Sequence, residues 1–113
     1  MLRVFFGLGL VAACSFSSAA ESRHSGAVNE ILVDNDRYGL CMVAVAGYSA
    51  PAGCKEKWIS FDCQGAFHDK SISRAMFESA QMAYALEKSF SVMVADNKKH
   101  DGWCIATRTF NLQ

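Results

Sequence analysis

Proline, net charge and long apolar stretches are all scarce in this 113-residue chain. Eleven lysines and arginines face eleven aspartates and glutamates, so no basic field favours nucleic acid and no polybasic stretch favours an anionic lipid surface. No apolar run reaches the roughly 20 residues of a membrane-crossing helix. Several chemical signatures are missing as well. The chain has no glycine-rich phosphate loop, no H-E-x-x-H and no G-x-S-x-G elbow. It also has no C-x-x-C pair, which argues against a zinc site built from its thiols. Internal repeats and low-complexity segments are absent too.

The first 20 residues carry an address. Arg3 supplies a positive n-region, Val4 to Ala13 an apolar run, and Ser18-Ala19-Ala20 a small-residue cleavage site ahead of Glu21, the pattern of a signal peptide. Val11-Ala12-Ala13-Cys14 also fits a bacterial lipoprotein box, in which Cys14 would carry lipid. Export to the periplasm or beyond is expected either way. Losing Arg3 with the leader leaves ten basic residues against eleven acidic ones, so the mature chain stays near neutral. About 93 residues remain, enough for one domain, and a domain that small gains from covalent staples or oligomerisation.

The spacing predicts one helix, over Ser71 to Lys88, with Ser71 or Ser73 as its N-cap and Asp69 adding charge at its start. Ile72, Ala75, Met76, Ala80, Ala83 and Leu86 recur at three and four residues and mark the expected buried face. Phe77 and Tyr84 form a second apolar line, a candidate subunit interface.

Before the helix, Glu21 to Val28 reads as a flexible arm, and the ordered domain is expected from Asn29 to Gln113. Ile31-Leu32-Val33 is a short strand, Asp34-Asn35-Asp36 a turn, and Tyr38 to Ala46 a second strand. The turn opens like a calcium loop, but Tyr38 holds a ligand position and Val45 stands where the bidentate Glu belongs. No metal or other cofactor is expected. Gly47 to Gly53 is a loop, and Lys57 to Cys63 alternates cleanly, with Ile59, Phe61 and Cys63 on one face and Trp58, Ser60 and Asp62 on the other. After the helix come a strand from Phe90 to Ala95, a polar turn from Asp96 to Gly102, and a last strand from Trp103 to Leu112.

Three strands, a helix and two strands is the element order of the OB-fold, a five-stranded barrel, although an open antiparallel sheet covered by the helix reads the same way. The fold class is thus a strand-dominated α+β barrel with one helix. Four cysteines remain in the mature chain, and export favours two disulfides. Cys54 and Cys63 flank one strand and would lie roughly 30 Å apart, too far to bridge. In an OB barrel the third and fifth strands are neighbours, which brings Cys54 to Cys104, and folding the second strand on the third brings Cys41 to Cys63. These are the expected pairs among three connectivities.

The leader, the element order, the strand Lys57-Trp58-Ile59-Ser60-Phe61-Asp62-Cys63, the alanine-rich helix, Phe90-Ser91-Val92-Met93-Val94 and Gly102-Trp103-Cys104 together give a resemblance. The chain resembles small secreted OB-fold proteins, in particular the binding subunits of bacterial subtilase-cytotoxin-like and typhoid-toxin-like assemblies. The resemblance implies a non-catalytic protein that binds cell-surface glycans and assembles as a ring, with each helix towards the axis and Phe77 and Tyr84 in the contacts. The residues themselves suggest a ligand face of Trp58, Ser60 and Asp62, since a ring to stack on beside a hydroxyl and a carboxylate suits a sugar. Asp34, Arg37, Tyr38, Lys99 and His100 could rim that face, and Trp103 is a further candidate. The same barrel face could instead hold an exported protein partner. A small hydrolase is the weakest reading: Cys63 lies five residues from His68, and Ser60 with His68 or His100 could be drawn as a triad, but no strained nucleophile turn supports either.

Overall fold

The computed structural model describes residues 20–111. The expected leader, Met1 to Ala20, lies outside the described residues except for Ala20, and so do Cys14 with its lipoprotein box, Leu112 and Gln113. Within the described residues the chain forms a closed barrel of five strands in the order β1-β2-β3-β5-β4, with one helix between β3 and β4. The strands are β1 Glu21–Val33, β2 Cys41–Val45, β3 Trp58–Ser60, β4 Ser89–His100 and β5 Trp103–Asn111, and the helix is α1 Lys70–Leu86. This is the closed barrel expected from the element order, rather than the open sheet.

The expected flexible arm is instead the first half of β1. Glu21 to Ala27 pairs antiparallel with β4, then the strand passes a bulge near Val28 and pairs with β2 from Val28 to Val33. One strand thereby serves two neighbours and closes the barrel. Its first half holds through polar cross-strand contacts, which is why its composition resembles an arm. Arg23 Nε donates to Ser91 Oγ at 2.7 Å, Ser25 Oγ donates to the same oxygen at 2.9 Å, and the Arg23 guanidinium lies 3.9 Å from the Phe110 ring centre. Gly26 is required there, because a Cβ would run into the Ala46 carbonyl oxygen.

The segment after Ala95 also differs from the polar turn expected over Asp96 to Gly102. The polar residues Asp96 to His100 continue β4, and the turn is only Asp101-Gly102, with φ of 54° and 92° and His100 opposite Trp103. A two-residue Asp-Gly loop with both residues left-handed is the tight turn whose twist matches paired strands. β3 and β5 run parallel through Ser60 and Ile105, which completes the ring.

The core gathers Val43, Val45, Ile59, Phe61, Phe90, Val92, Val94 and Ala106 from the strands and Met76, Phe77, Ala80 and Ala83 from the helix. Burying each large apolar side chain contributes roughly 1.5 to 3 kcal/mol. Phe61 sits between Phe77 and Phe90, at centroid distances of 5.8 and 6.3 Å. That pairing fixes the rotation of α1. Its buried residues are Ser73, Met76, Phe77, Ala80 and Ala83, whereas Ile72 and Leu86, expected inside, are 57% and 59% exposed. Phe77 is therefore a core residue, and only Tyr84 of the expected interface pair is exposed. Apolar residues occupy more than one side of this helix, so spacing alone did not select the face. Nor is a serine the N-cap: Asp69 takes that position and accepts from the Ser71 amide at 2.8 Å, while Glu87 ends the helix in a left-handed conformation.

Both disulfides join the expected partners, Cys41 to Cys63 and Cys54 to Cys104, with Cα separations of 5.8 and 5.5 Å. The four sulfurs are thus paired with one another and not arranged around a zinc. Among the described residues no helix is long and apolar enough to cross a membrane.

Candidate functional site

Three loops meet over the outer side of β3: residues 34–40 between β1 and β2, residues 61–69 between β3 and α1, and the Asp101-Gly102 turn. The first is shaped by Asp34, whose Oδ1 accepts from the amides of Asp36 and Arg37 at 3.0 and 3.1 Å. Those bonds hold the carboxyl below its ordinary range, the Asp36 amide being the largest cause, against a smaller opposing effect of burial. Tyr38, Gly39 and Leu40 then follow with φ of 63°, 72° and 75°, three consecutive left-handed residues. For a tyrosine and a leucine this conformation is costly, and it persists only where the surroundings enforce it.

The enforcement is visible at Gly39, which packs directly onto β3 and the hairpin. A Cβ there would come within 2.5 Å of Ser60 Oγ, 2.7 Å of His100 Cδ2 and 3.1 Å of the Asp62 Cα. Ser60 Oγ donates to the Tyr38 carbonyl at 2.8 Å and accepts from the Asp62 amide at 3.2 Å. Tyr38 in turn donates its amide to Asp101 Oδ2 at 3.2 Å.

Asp62 ties the remaining loops together. Its side chain is fully buried, and the carboxylate accepts from the amides of Ala66, Phe67 and His68 at 3.0, 2.8 and 2.8 Å and from His100 Nε2 at 2.7 Å. Burial alone would raise the Asp62 pKa and is the largest single influence. The hydrogen bonds from His100 and then from the Phe67, His68 and Ala66 amides together outweigh it, so the carboxyl is held below its ordinary range.

These contacts change the expected ligand face. The alternating strand expected to run to Cys63 ends at Ser60: Ser60 lies on the opposite side of β3 from Ile59, Asp62, with φ of 57°, lies in the loop that follows, and the Tyr38-Gly39 segment packs over both, which are 0% exposed. They are supports, not ligand contacts. Trp58 is half-buried with Lys57 Nζ 5.1 Å from its ring centre, and Lys57 also pairs with Glu30 at 3.1 Å.

Tyr38 and Trp103, by contrast, are brought together. Their rings meet edge to face at 5.2 Å and 89°, flanked by the Arg37 guanidinium 4.7 Å from the Tyr38 ring centre and Lys55 Nζ 4.4 Å from that of Trp103. Trp103 Nε1 donates to the Glu56 carbonyl at 3.2 Å and Lys55 N to the Gly102 carbonyl at 2.9 Å, which fixes the indole against the 54–56 segment. Phe67, 41% exposed, is a further aromatic nearby, 5.1 Å from the ring of His100, which lies opposite Trp103 in the hairpin. Neither Phe67 nor the buried role of Asp62 was read from the sequence. The Asp-Gly hairpin signal, properly placed, would have set His100 beside Trp103.

A separate cleft of about 310 Å³ lies between the β1–β2 hairpin and α1. Leu40, Phe77 and the Cys41–Cys63 bridge line it, with Asp34, Arg74 and Glu78 among its polar walls. Among the described residues, no group of three or more histidine, cysteine, aspartate or glutamate side chains converges as a metal site would need.

The fold and this face define a class: a small, doubly disulfide-bonded OB-type barrel that presents aromatic side chains from its supported loops and from the start of β5. The chain matches no protein-family model, no curated protein and no solved structure.

Proposed function

We propose that the chain is an exported, non-catalytic binding module that takes a carbohydrate on the Tyr38–Trp103 face. The observation that carries this reading is the edge-to-face aromatic pair formed by Tyr38, on a left-handed loop, and Trp103, at the start of β5, beside a buried, hydrogen-bonded support at Asp62. Such a face needs little ordering when a ligand arrives. Arg37 and Lys55 rest against the two rings, and exposed cation–π contacts of this kind are worth only about 0.5 to 1 kcal/mol, so a sugar ring can displace them and then hydrogen-bond to them. The resemblance to toxin binding subunits favours the same class of ligand.

The non-catalytic reading is supported by what the candidate nucleophiles do. Cys63 is in a disulfide, and the Ser60 hydroxyl is buried and bonded to the Tyr38 carbonyl. Export, by cleavage after Ala20 or by lipidation at Cys14, agrees with two disulfides. Homo-oligomerisation now rests on Ile72, Met82, Tyr84 and Leu86, the large apolar residues that α1 leaves exposed, in place of Phe77. A second reading, a domain that binds or inhibits another exported protein, is favoured by the cleft beside Phe77.

The test is a glycan array probed with the mature protein, with Trp103→Ala and with Trp58→Ala. Selective binding that disappears in Trp103→Ala is the expected outcome. Silence on the array, with a stoichiometric complex formed with an exported protein, would replace this reading with the second.

A further inference from the structure

We propose that His100 is the polar anchor of this face: its Nδ1 accepts a hydrogen bond from a ligand hydroxyl, and Asp62 orients the ring and fixes its tautomer for that purpose. The proposal rests on the carbohydrate reading and deepens it by naming the contact.

The tautomer follows from the partners. A carboxylate offers only lone pairs, and the Asp62 carboxyl, held below its ordinary range, is ionised at neutral pH. The nitrogen 2.7 Å from it, Nε2, must therefore be the donor. In the neutral imidazole the remaining lone pair then sits on Nδ1. A buried carboxylate that holds one ring nitrogen so that the other is presented in a defined state is the arrangement that orients ligating and catalytic histidines generally.

The ring's surroundings leave that nitrogen free. Its Cδ2 edge is packed under Gly39, at a point where even a methyl group would not fit. Nδ1 is on the opposite edge, and it makes no hydrogen bond among the described residues. The side chain as a whole is 12% exposed, so a small part of a ring otherwise built into the structure reaches the surface. Three elements that carry aromatic side chains meet at this ring. Phe67 lies 5.1 Å from the ring, Gly39 packs on its Cδ2 edge, and Trp103 is directly opposite His100 in the hairpin. A sugar stacked on these rings carries hydroxyl donors at its rim, and an oriented acceptor beside a stacking surface discriminates among epimers that the rings alone could not tell apart.

A purely structural histidine would need only the Nε2 donor. The two functions separate by substitution, because the Gln side chain places an amide N–H where Nε2 stands, whereas Asn places its carbonyl oxygen where Nδ1 stands. The experiment uses the mature, oxidised protein labelled with 15N-histidine and a panel of methyl glycosides as probes, followed by NMR. Nδ1 of His100 is expected to be the unprotonated nitrogen and to shift on saturation with a bound glycoside. His100→Gln is expected to keep the unfolding midpoint near that of the parent and to weaken binding about tenfold, the effect of one hydrogen bond. His100→Asn is expected to lose stability but to retain more of the binding.

An Nδ1 signal that stays still at saturation overturns the proposal even if His100→Gln fails to fold. So does parental affinity in His100→Gln alongside loss of binding in Trp103→Ala, and in that case the carbohydrate reading stands. No binding of any glycoside by the parent protein overturns both.

Discussion

Asp62→Ala is the substitution with the most to say about how the loop face is held. The wild-type carboxylate accepts four hydrogen bonds, three from the amides of Ala66, Phe67 and His68 and one from His100, and is itself fully buried. Removing it leaves these donors without their acceptor. Loss of one partner from a buried charged pair costs about 3 to 5 kcal/mol, and a buried donor left unpaired about 1 to 3 kcal/mol. Water reaching the exposed side of the 66–68 segment offsets part of the total, so the expected loss is about 4 kcal/mol. Against a total of about 5 to 15 kcal/mol this is severe, and it lowers Tm by roughly 15 to 30 °C.

The assay is urea unfolding of the oxidised protein followed by tryptophan fluorescence, repeated across acid pH. In the folded chain the Asp62 carboxyl sits below its unfolded value, near about 3.9. The stabilisation it supplies is complete above about pH 5 and disappears as pH falls through the lowered folded value. The gap between wild type and Asp62→Ala should accordingly narrow in strong acid. A loss below about 1 kcal/mol at neutral pH, or a gap that does not depend on pH, would refute the account of Asp62 as the tie between loops.

Gly39→Ala is expected to cost roughly 3 kcal/mol, from left-handed strain together with collision against Ser60 and Asp62, whereas Gly47→Ala, with a similar φ but nothing within 4 Å, should cost about 1 kcal/mol. Equal losses in denaturation would show that close approach at Gly39 is unimportant. Removing the Cys54–Cys104 bridge, with a sequence separation of 50, should destabilise by about 4 kcal/mol, and removing Cys41–Cys63, with a separation of 22, by about 3 kcal/mol. The reverse order in chemical unfolding would mean that packing around the sulfurs, and not chain entropy, dominates. One tyrosine should ionise at about 12 in an ultraviolet titration of the native protein, because burial, and secondarily Glu56, raises the Tyr48 phenol. Tyr48→Phe should remove that step, and the stabilisation linked to it is present below about pH 10 and lost as pH rises through about 12. A titration unchanged in Tyr48→Phe would reject the assignment.

Much of the barrel was legible because its strands obey simple rules. Ile59 and Phe61 alternate with outward residues, Phe90, Val92 and Val94 do the same, and the resulting neighbours dictated both cysteine pairs. Sequence reading failed where tertiary contacts decided. Ser22, Arg23, His24 and Ser25 have no apolar pattern, yet they form a strand because β4 pairs along them, with Ser91 opposite Ser25 and the Arg23 guanidinium reaching the Phe110 ring of β5. Ile72 and Phe77 are equally apolar, and only the position of Phe61 chooses between them. At the candidate site, alternation placed Ser60 on the outer side of β3, but no local pattern reveals that the strand ends there, before Asp62, or that another loop will fold over that side. Outward orientation and exposure are different properties, and the first is all that period-two spacing reports.

The two sulfur bridges have a topological effect beyond their separate contributions. Their loops, from Cys41 to Cys63 and from Cys54 to Cys104, overlap, so a single covalently closed unit runs from Cys41 to Cys104 and contains β2, β3, α1 and β4. β1 is the one strand wholly outside it, although it closes the barrel against both β2 and β4. The fluctuation that opens this barrel at least cost is therefore detachment of β1, which should register as the earliest amide exchange among the strands. A detached β1 leaves two unpaired edges that accept the β1 of another molecule, so the same covalent layout that protects the core makes strand exchange the natural route by which this protein would entangle with itself at high concentration.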